Sequence, residues 1–180
     1  MKRALRKEIL GKRDLMKKED VIKKSKEIKE KLFLVPEFIN AKTIAFYVSF
    51  NNEVFTHSII KELLGKKRIL VPKVLDNEII FSEITNFNEL KPGKSGILEP
   101  VAIKKTGYGE IDLIIVPGIA FDKKGHRIGY GYGMYDKLLK KIKCKKIGLA
   151  FSMQIAKEIP KEEYDVAVDK IITEKEVVNC

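Results

Sequence analysis

The run Ile111-Asp-Leu-Ile-Ile-Val-Pro-Gly118 decides the fold. Five of its first six residues are isoleucine, leucine or valine in near-continuous order, and Pro-Gly stops it. That pattern predicts a buried strand covered on both faces rather than a half-exposed one. Downstream, Tyr135 to Ile142 has helical spacing. Lys146-Ile-Gly-Leu-Ala-Phe151 then reads as another strand, completing a strand–helix–strand unit. Upstream, Thr43-Ile-Ala-Phe-Tyr-Val48, Arg68-Ile-Leu-Val-Pro72 and Glu78 to Ile84 read as strands. The last two are joined by a short connection and are expected to be antiparallel. Val166 to Ile172 is expected to form a last strand.

Helices are expected over residues 2–16, weakened at Gly11, and from an Asp20 cap to Phe33, with Pro36 closing that segment. A third is expected from Val54 to Leu64, stopped by Gly65. Lys91-Pro-Gly-Lys-Ser-Gly96 reads as a loop. Strands alternating with helices predict an α/β fold: a single three-layer domain over residues 1–180, with a largely parallel central sheet flanked by helices.

The chain has 180 residues, 44% of them hydrophobic, enough for one core. No apolar run approaches the ~18 residues that span a bilayer. The charged start Met1-Lys-Arg-Ala-Leu-Arg-Lys-Glu lacks the apolar centre of a secretion signal, so a cytoplasmic protein away from membranes is expected. Cys144 and Cys180 have no ligand or redox spacing and read as free thiols. The net charge of +11 is spread along the chain, often with glutamate close by, as in Lys26-Glu-Ile-Lys-Glu-Lys31. Without a basic stripe or a nucleic-acid motif, no nucleic-acid partner is expected. A basic nucleic-acid module remains a competing reading, tested by a steep salt dependence of binding.

The connection from Gly118 to Gly133 is long for a strand-to-helix loop, and such loops are commonly functional. It holds Arg127-Ile-Gly-Tyr-Gly-Tyr-Gly-Met-Tyr-Asp136. Gly129, Gly131 and Gly133 let backbone N–H groups approach a ligand, and the helix beginning beyond them directs unpaired N–H groups at the same place. Arg127 adds a fork suited to phosphate oxygens. Asp136 beside a phosphate calls for a cation between them, hence an expected Mg²⁺. From spacing alone, phosphate binding and a ligand-free glycine–tyrosine turn capped by Asp136 stay equal readings.

The flanks of the loop extend the pattern. Pro117-Gly-Ile-Ala-Phe-Asp-Lys-Lys-Gly-His-Arg-Ile-Gly-Tyr-Gly-Tyr-Gly-Met-Tyr-Asp136 resembles the signature of the 5-formyltetrahydrofolate cyclo-ligase family. Lys2-Arg-Ala-Leu-Arg6, Asn52-Glu-Val-Phe-Thr56 and Val168-Asp169 are similar to further family segments, in the same order. The resemblance implies an ATP-dependent enzyme that closes a ring on a reduced folate, acting as a monomer on small-molecule substrates. It implies ATP contacts from Lys2, Arg3, Ala4, Leu5 and Arg6 and from Arg127, Ile128, Gly129, Tyr130, Gly131, Tyr132, Gly133, Met134 and Tyr135, with Arg127 and Tyr135 as catalytic residues. Val48, Glu53 and Gly129 to Gly133 would border the folate, and Asp136 and Asp169 would hold Mg²⁺. Met134 stands where the family usually has tyrosine. Without the resemblance, Lys2 and Arg6 read as a solvated helix face shared with Arg13, Asp169 as a surface carboxylate, and Val48 as core. Another phosphate-handling enzyme on the same sheet is the remaining alternative.

Overall fold

A computed structural model describes residues 2–93 and 95–180 of the chain. Five helices alternate with short strands: α1 (Lys2–Asp14), α2 (Lys18–Leu32), α3 (Pro36–Asn40), β1 (Thr43–Ala45), α4 (His57–Leu63), β2 (Arg68–Leu75) and β3 (Glu78–Ile84). There follow β4 (Leu90–Pro92), β5 (Leu98–Pro100), β6 (Lys105–Thr106), β7 (Leu113–Val116), β8 (Ala120–Asp122) and β9 (Arg127–Ile128). The chain ends with α5 (Met134–Lys141), β10 (Lys145–Leu149), β11 (Ile155–Ala156), β12 (Lys170–Ile172) and β13 (Val177–Asn179).

Eight strands form the central sheet in the order β13-β12-β10-β7-β1-β2-β3-β6. The five inner strands from β12 to β2 are parallel. β13 and β3 run antiparallel to them, the latter as expected from its short connection to β2. The predicted α/β architecture is therefore the observed one.

Period-two alternation divides the strand residues between two layers of core. Ile44, Ile69, Val71, Leu113, Ile115, Ile147, Leu149 and Ile172 pack beneath α2, α3 and α4, against Ile28, Leu32, Phe38 and Ile59. Ala45, Leu70, Ile114, Val116 and Ile171 face the other way, against Leu138, Leu139 and Ile142 of α5 and its end. Each fully buried isoleucine or leucine in these layers contributes roughly 1.5–3 kcal/mol. The outer layers are unequal, three helices against one. α1 lies off the main sheet, with Ile9 packing against Ile119, Ala120, Ile128 and Ile159 of the small sheet β11-β8-β9. Among the described residues no helix is long and apolar enough to cross a membrane.

Several boundaries differ from the sequence reading. Pro36 does not merely close a segment; it sits at the first turn of α3, where its missing N–H is no loss. Lys17, not Asp20, precedes α2, which places Glu19 and Asp20 in the first turn, where the helix dipole favours them. α4 begins only at His57, because the Thr56 hydroxyl is occupied donating to the Tyr47 carbonyl and accepting from the Ser49 N–H. β1 pairs only as far as Ala45, although the chain stays buried through Val48. The last parallel strand is confined to Lys170–Ile172. The loop expected over Lys91–Gly96 is the bend of a β4–β5 hairpin, and its Lys94 lies outside the described residues.

The long connection after Gly118 contains the β8–β9 hairpin. Its turn is held by the buried Asp122 carboxylate, which accepts the N–H groups of Lys124 and His126 on one oxygen and that of Ile159 on the other. Gly125 completes the turn at φ +84°, and a Cβ there would lie 2.3 Å from the Val168 carbonyl oxygen.

Gly125→Ala should therefore lower stability by about 2–3 kcal/mol through left-handed strain and backbone overlap. Gly11→Ala, in open space within α1, should raise it by about 0.5–1 kcal/mol. Urea unfolding of the two variants beside the wild type measures both.

Candidate active site

The chain leaves β1 toward β2 on one side and later enters β7 on the other, so β1 and β7 flank the topological switch point of the sheet. Open α/β sheets bind ligands beyond the carboxyl ends of the strands at this point. Here the exit of β1 supplies Tyr47 and Glu53, and the exit of β7 supplies Pro117 and Gly118. With Arg13 and Gln154 they line a narrow crevice. Gly118 is required at the β7 exit: a Cβ would lie 2.5 Å from the Phe121 ring, and one on Gly148 of β10 would meet the same ring at 2.6 Å. The buried Gln154 ties the crevice floor by donating to the carbonyls of Gly118 and Ile119 and accepting from the Phe151 N–H.

The glycine loop closes over this crevice. Gly131 adopts φ +103°, and Gly133 adopts φ +64° immediately before α5, conformations that a side chain would strain. Arg6 donates through Nε to the Gly129 carbonyl at 2.8 Å, and its guanidinium lies alongside Gly131. Tyr130 donates its hydroxyl to Glu53 Oε1 at 2.8 Å and accepts from the Arg13 guanidinium at 2.7 Å. The Phe50 N–H donates to the other Glu53 oxygen at 2.9 Å. Arg127, almost fully buried, donates to Asp136 Oδ1 at 2.8 Å and lies over the Tyr135 ring. The Nε atoms of Arg13 and Arg127 are buried without a partner among the described residues.

Burial dominates the electrostatics. It raises the pKa of Glu53, against the lowering effect of the Phe50 N–H, the Tyr130 hydroxyl and the Arg13 charge. It also pushes Tyr130 up to about 12, with Glu53 adding to the effect. Tyr47 and Tyr135 are raised further by the same two causes. The Arg127 guanidinium is lowered by burial and partly restored by Asp136.

The structure thus brings Arg6, Gly129, Tyr130, Gly131, Gly133 and Glu53 to one place, with Arg127, Tyr135 and Asp136 at the start of α5 beside them. Other expected site residues stand elsewhere or have another task. Lys2 is ion-paired to Asp165 at 2.6 Å and to Glu162 at 3.2 Å. Arg3 and Ala4 are exposed on α1, while Leu5 packs on the small sheet. Ile128 and Val48 are core residues. Tyr132 is exposed, and Met134, the first residue of α5, packs against the same core layer as Leu138 and Leu139.

Asp169 accepts from Lys145 Nζ and the Lys146 N–H at the amino ends of β10 and β12. Asp136 lies in the first turn of α5, whose other end leads into β10, and is bonded to Arg127; among the described residues the two carboxylates share no partner. As placed, they do not fit one shared magnesium ion. Among the described residues no group of three or more potential ligand side chains is assembled for a metal.

Sequence reasoning missed Arg13, Tyr47, Gln154 and Asp165. Arg13 carried a usable signal, since it shares the helical face of Lys2 and Arg6.

Fold and site define an open-sheet α/β enzyme with a cation-lined glycine loop over a switch-point crevice. The model of the 5-formyltetrahydrofolate cyclo-ligase family matches residues 1–174, and the chain belongs to that family. It is 33% identical to the 5-formyltetrahydrofolate cyclo-ligase of Mycoplasma pneumoniae, over 97% of this chain and 99% of that one. It is 30% identical to the enzyme of the same name from Mus musculus, over 82% and 80%. Among solved structures it is similar to the 5,10-methenyltetrahydrofolate synthetase of Aquifex aeolicus, with a TM-score of 0.91 and 37% identity, covering 99% of this chain and 92% of that one.

The half-buried Glu53 yields a sign-specific prediction. Its folded pKa is raised above the ordinary value of 4.5, so its contribution to stability is fully present below that value and is lost as pH rises through the raised pKa. Glu53→Gln does not titrate. Its melting temperature relative to wild type should climb as pH increases from 4 and level off above the raised pKa, which thermal melts from pH 4 to 8 will read.

Proposed function

We propose that this chain uses ATP to close 5-formyltetrahydrofolate to 5,10-methenyltetrahydrofolate, releasing ADP and phosphate, and that residues 1–180 act as one domain. The observation that carries the proposal is the 2.8 Å hydrogen bond between Tyr130 of the glycine loop and Glu53 of the crevice. It puts a phosphate-suited loop and a folate-suited carboxylate within one side chain of each other.

The chemistry needs that proximity. The formyl oxygen attacks the γ-phosphorus and the bond to ADP breaks. The neighbouring nitrogen then adds to the activated formyl carbon. Phosphate departs with its C–O bond, and the nitrogen loses its proton to solvent. An amide oxygen leaves poorly and phosphate leaves well, so the protein's work is to align two substrates and stabilise spreading phosphate charge.

Gly129 to Gly133, the start of α5, Arg6 and Arg127 would receive the ATP phosphates, with Arg127 exchanging Asp136 for a phosphate oxygen. Lys2, at the start of the helix that carries Arg6, would add charge at the same edge. The carboxylate of Glu53 would accept adjacent N–H groups of the pterin ring, and the tyrosines would shield the reacting atoms from water. Magnesium enters this proposal only as the ion that accompanies ATP; Asp136 is the one expected ligand beside the loop.

Purified protein given 5-formyltetrahydrofolate and ATP should develop the near-ultraviolet absorbance of the methenyl product, and no absorbance should appear without ATP. Failure of the complete mixture to form product would remove the proposal. Arg6→Ala should raise KM for ATP about 10–100-fold, as expected for one lost charge-assisted contact, and leave KM for the folate within about twofold. Glu53→Gln should do the reverse.

A further inference from the structure

Arg13 is among the least exposed residues of the chain, at 2%, yet it carries a charge and lines the crevice. A buried guanidinium is retained at a cost unless its donors are used. One donor is used: it meets the Tyr130 hydroxyl at 2.7 Å. The Nε–H has no partner among the described residues. The backbone around Arg13 is also committed, since Asn52 donates to the carbonyls of Arg13 and Met16 and so ties this end of α1 to the β1 exit. Arg13 is thus anchored, and its Nε–H is left unused in the crevice that Glu53 also lines.

A pterin ring presents three neighbouring polar groups along one edge: an amino group, a ring N–H and a carbonyl oxygen. The order is donor, donor, acceptor. A carboxylate answers the first two. The third requires a donor placed next to that carboxylate. We infer that Arg13 is a specificity-determining residue for the folate, and that its Nε–H donates to the pterin carbonyl while Glu53 accepts from the adjacent N–H groups. The inference rests on the folate reading of the crevice. It adds a second reader of the ring to Glu53. Burial makes the pairing discriminating, because a ligand lacking the carbonyl leaves the Arg13 donor unpaired in a dry site.

The test is a ratio of dissociation constants. Binding of 5-formyltetrahydrofolate is compared with that of its 4-amino analogue, which replaces the carbonyl acceptor by a donor and also removes the adjacent ring N–H, so the readout for Arg13 is the change in this preference between wild type and variant. Wild type should favour the 4-oxo compound strongly. Arg13→Lys keeps the positive charge but has no N–H at the Nε position, and Arg13→Met removes every donor. Both should lower the preference about tenfold. Tyr130→Phe leaves the Nε–H in place and should keep the wild-type preference, whatever it does to affinity. If Arg13 only props up Tyr130, both compounds weaken together and the ratio stays within about twofold of wild type in the Arg13 variants; that overturns the inference. Loss of the ratio in Tyr130→Phe overturns it as well. Should Arg13→Met fail to fold, Arg13→Lys decides alone. Product formation by the wild type is scored separately, so failure of the cyclo-ligase activity is distinguishable from failure of the role given to Arg13.

Discussion

The hydroxyl of Tyr130, accepting from Arg13 and donating to Glu53, is the contact on which the site depends. It joins three segments far apart in sequence: the first helix, the exit of β1 and the glycine loop. α1 lies off the central sheet and packs by a small apolar stripe on β8 and β9. What orients it toward the crevice is polar: Lys2 to Asp165, Arg6 to the Gly129 carbonyl, Arg13 to Tyr130. Steps of four and then seven residues return close to the same side of a helix at 3.6 residues per turn. One face of α1 therefore presents all three cations to the site.

Much of the fold was legible because local pattern and burial coincide. β7 and β10 read clearly, since near-continuous apolar runs have few homes other than an inner parallel strand. The hairpin β8–β9 was invisible because strands of three and two residues offer no period to detect. Its determinant is the buried Asp122 carboxylate, whose four contacts follow from the folded path of the chain. Gly148, inside a strand, was a neglected sign of close approach, and the structure places the Phe121 ring against it.

The site was legible where its residues are consecutive and obscure where the chain must bring them together. Residues 127–136 announce a loop poised at a helix start. Arg13 shares a face with Lys2 and Arg6, but nothing in the sequence reveals that Tyr130, 117 positions away, will meet it. Asp165 was passed over in favour of Asp169 four residues later. The structure separates them by surroundings: Asp165 answers Lys2 beside the glycine loop, and Asp169 answers Lys145 at the far end of the strands.

That separation explains how a chain with net charge +11 keeps several cations around one loop without driving it open. Lys2 has Asp165, Arg127 has Asp136, and Arg13 reaches Glu53 through Tyr130. Burial weakens solvent screening, so each cation would otherwise repel its neighbours more strongly than at the surface. The internal carboxylates hold the cations in place at reduced net charge. Burial opposes ionisation of Asp165, but the Lys2 ammonium and the Glu162 N–H outweigh it and hold its pKa below the usual value. Glu53 lacks so direct an ion pair, and desolvation wins there. The two carboxylates are thereby set to different tasks: Asp165 stays a fixed counter-ion, whereas Glu53 is left short of strong partners and gains most from new N–H donors.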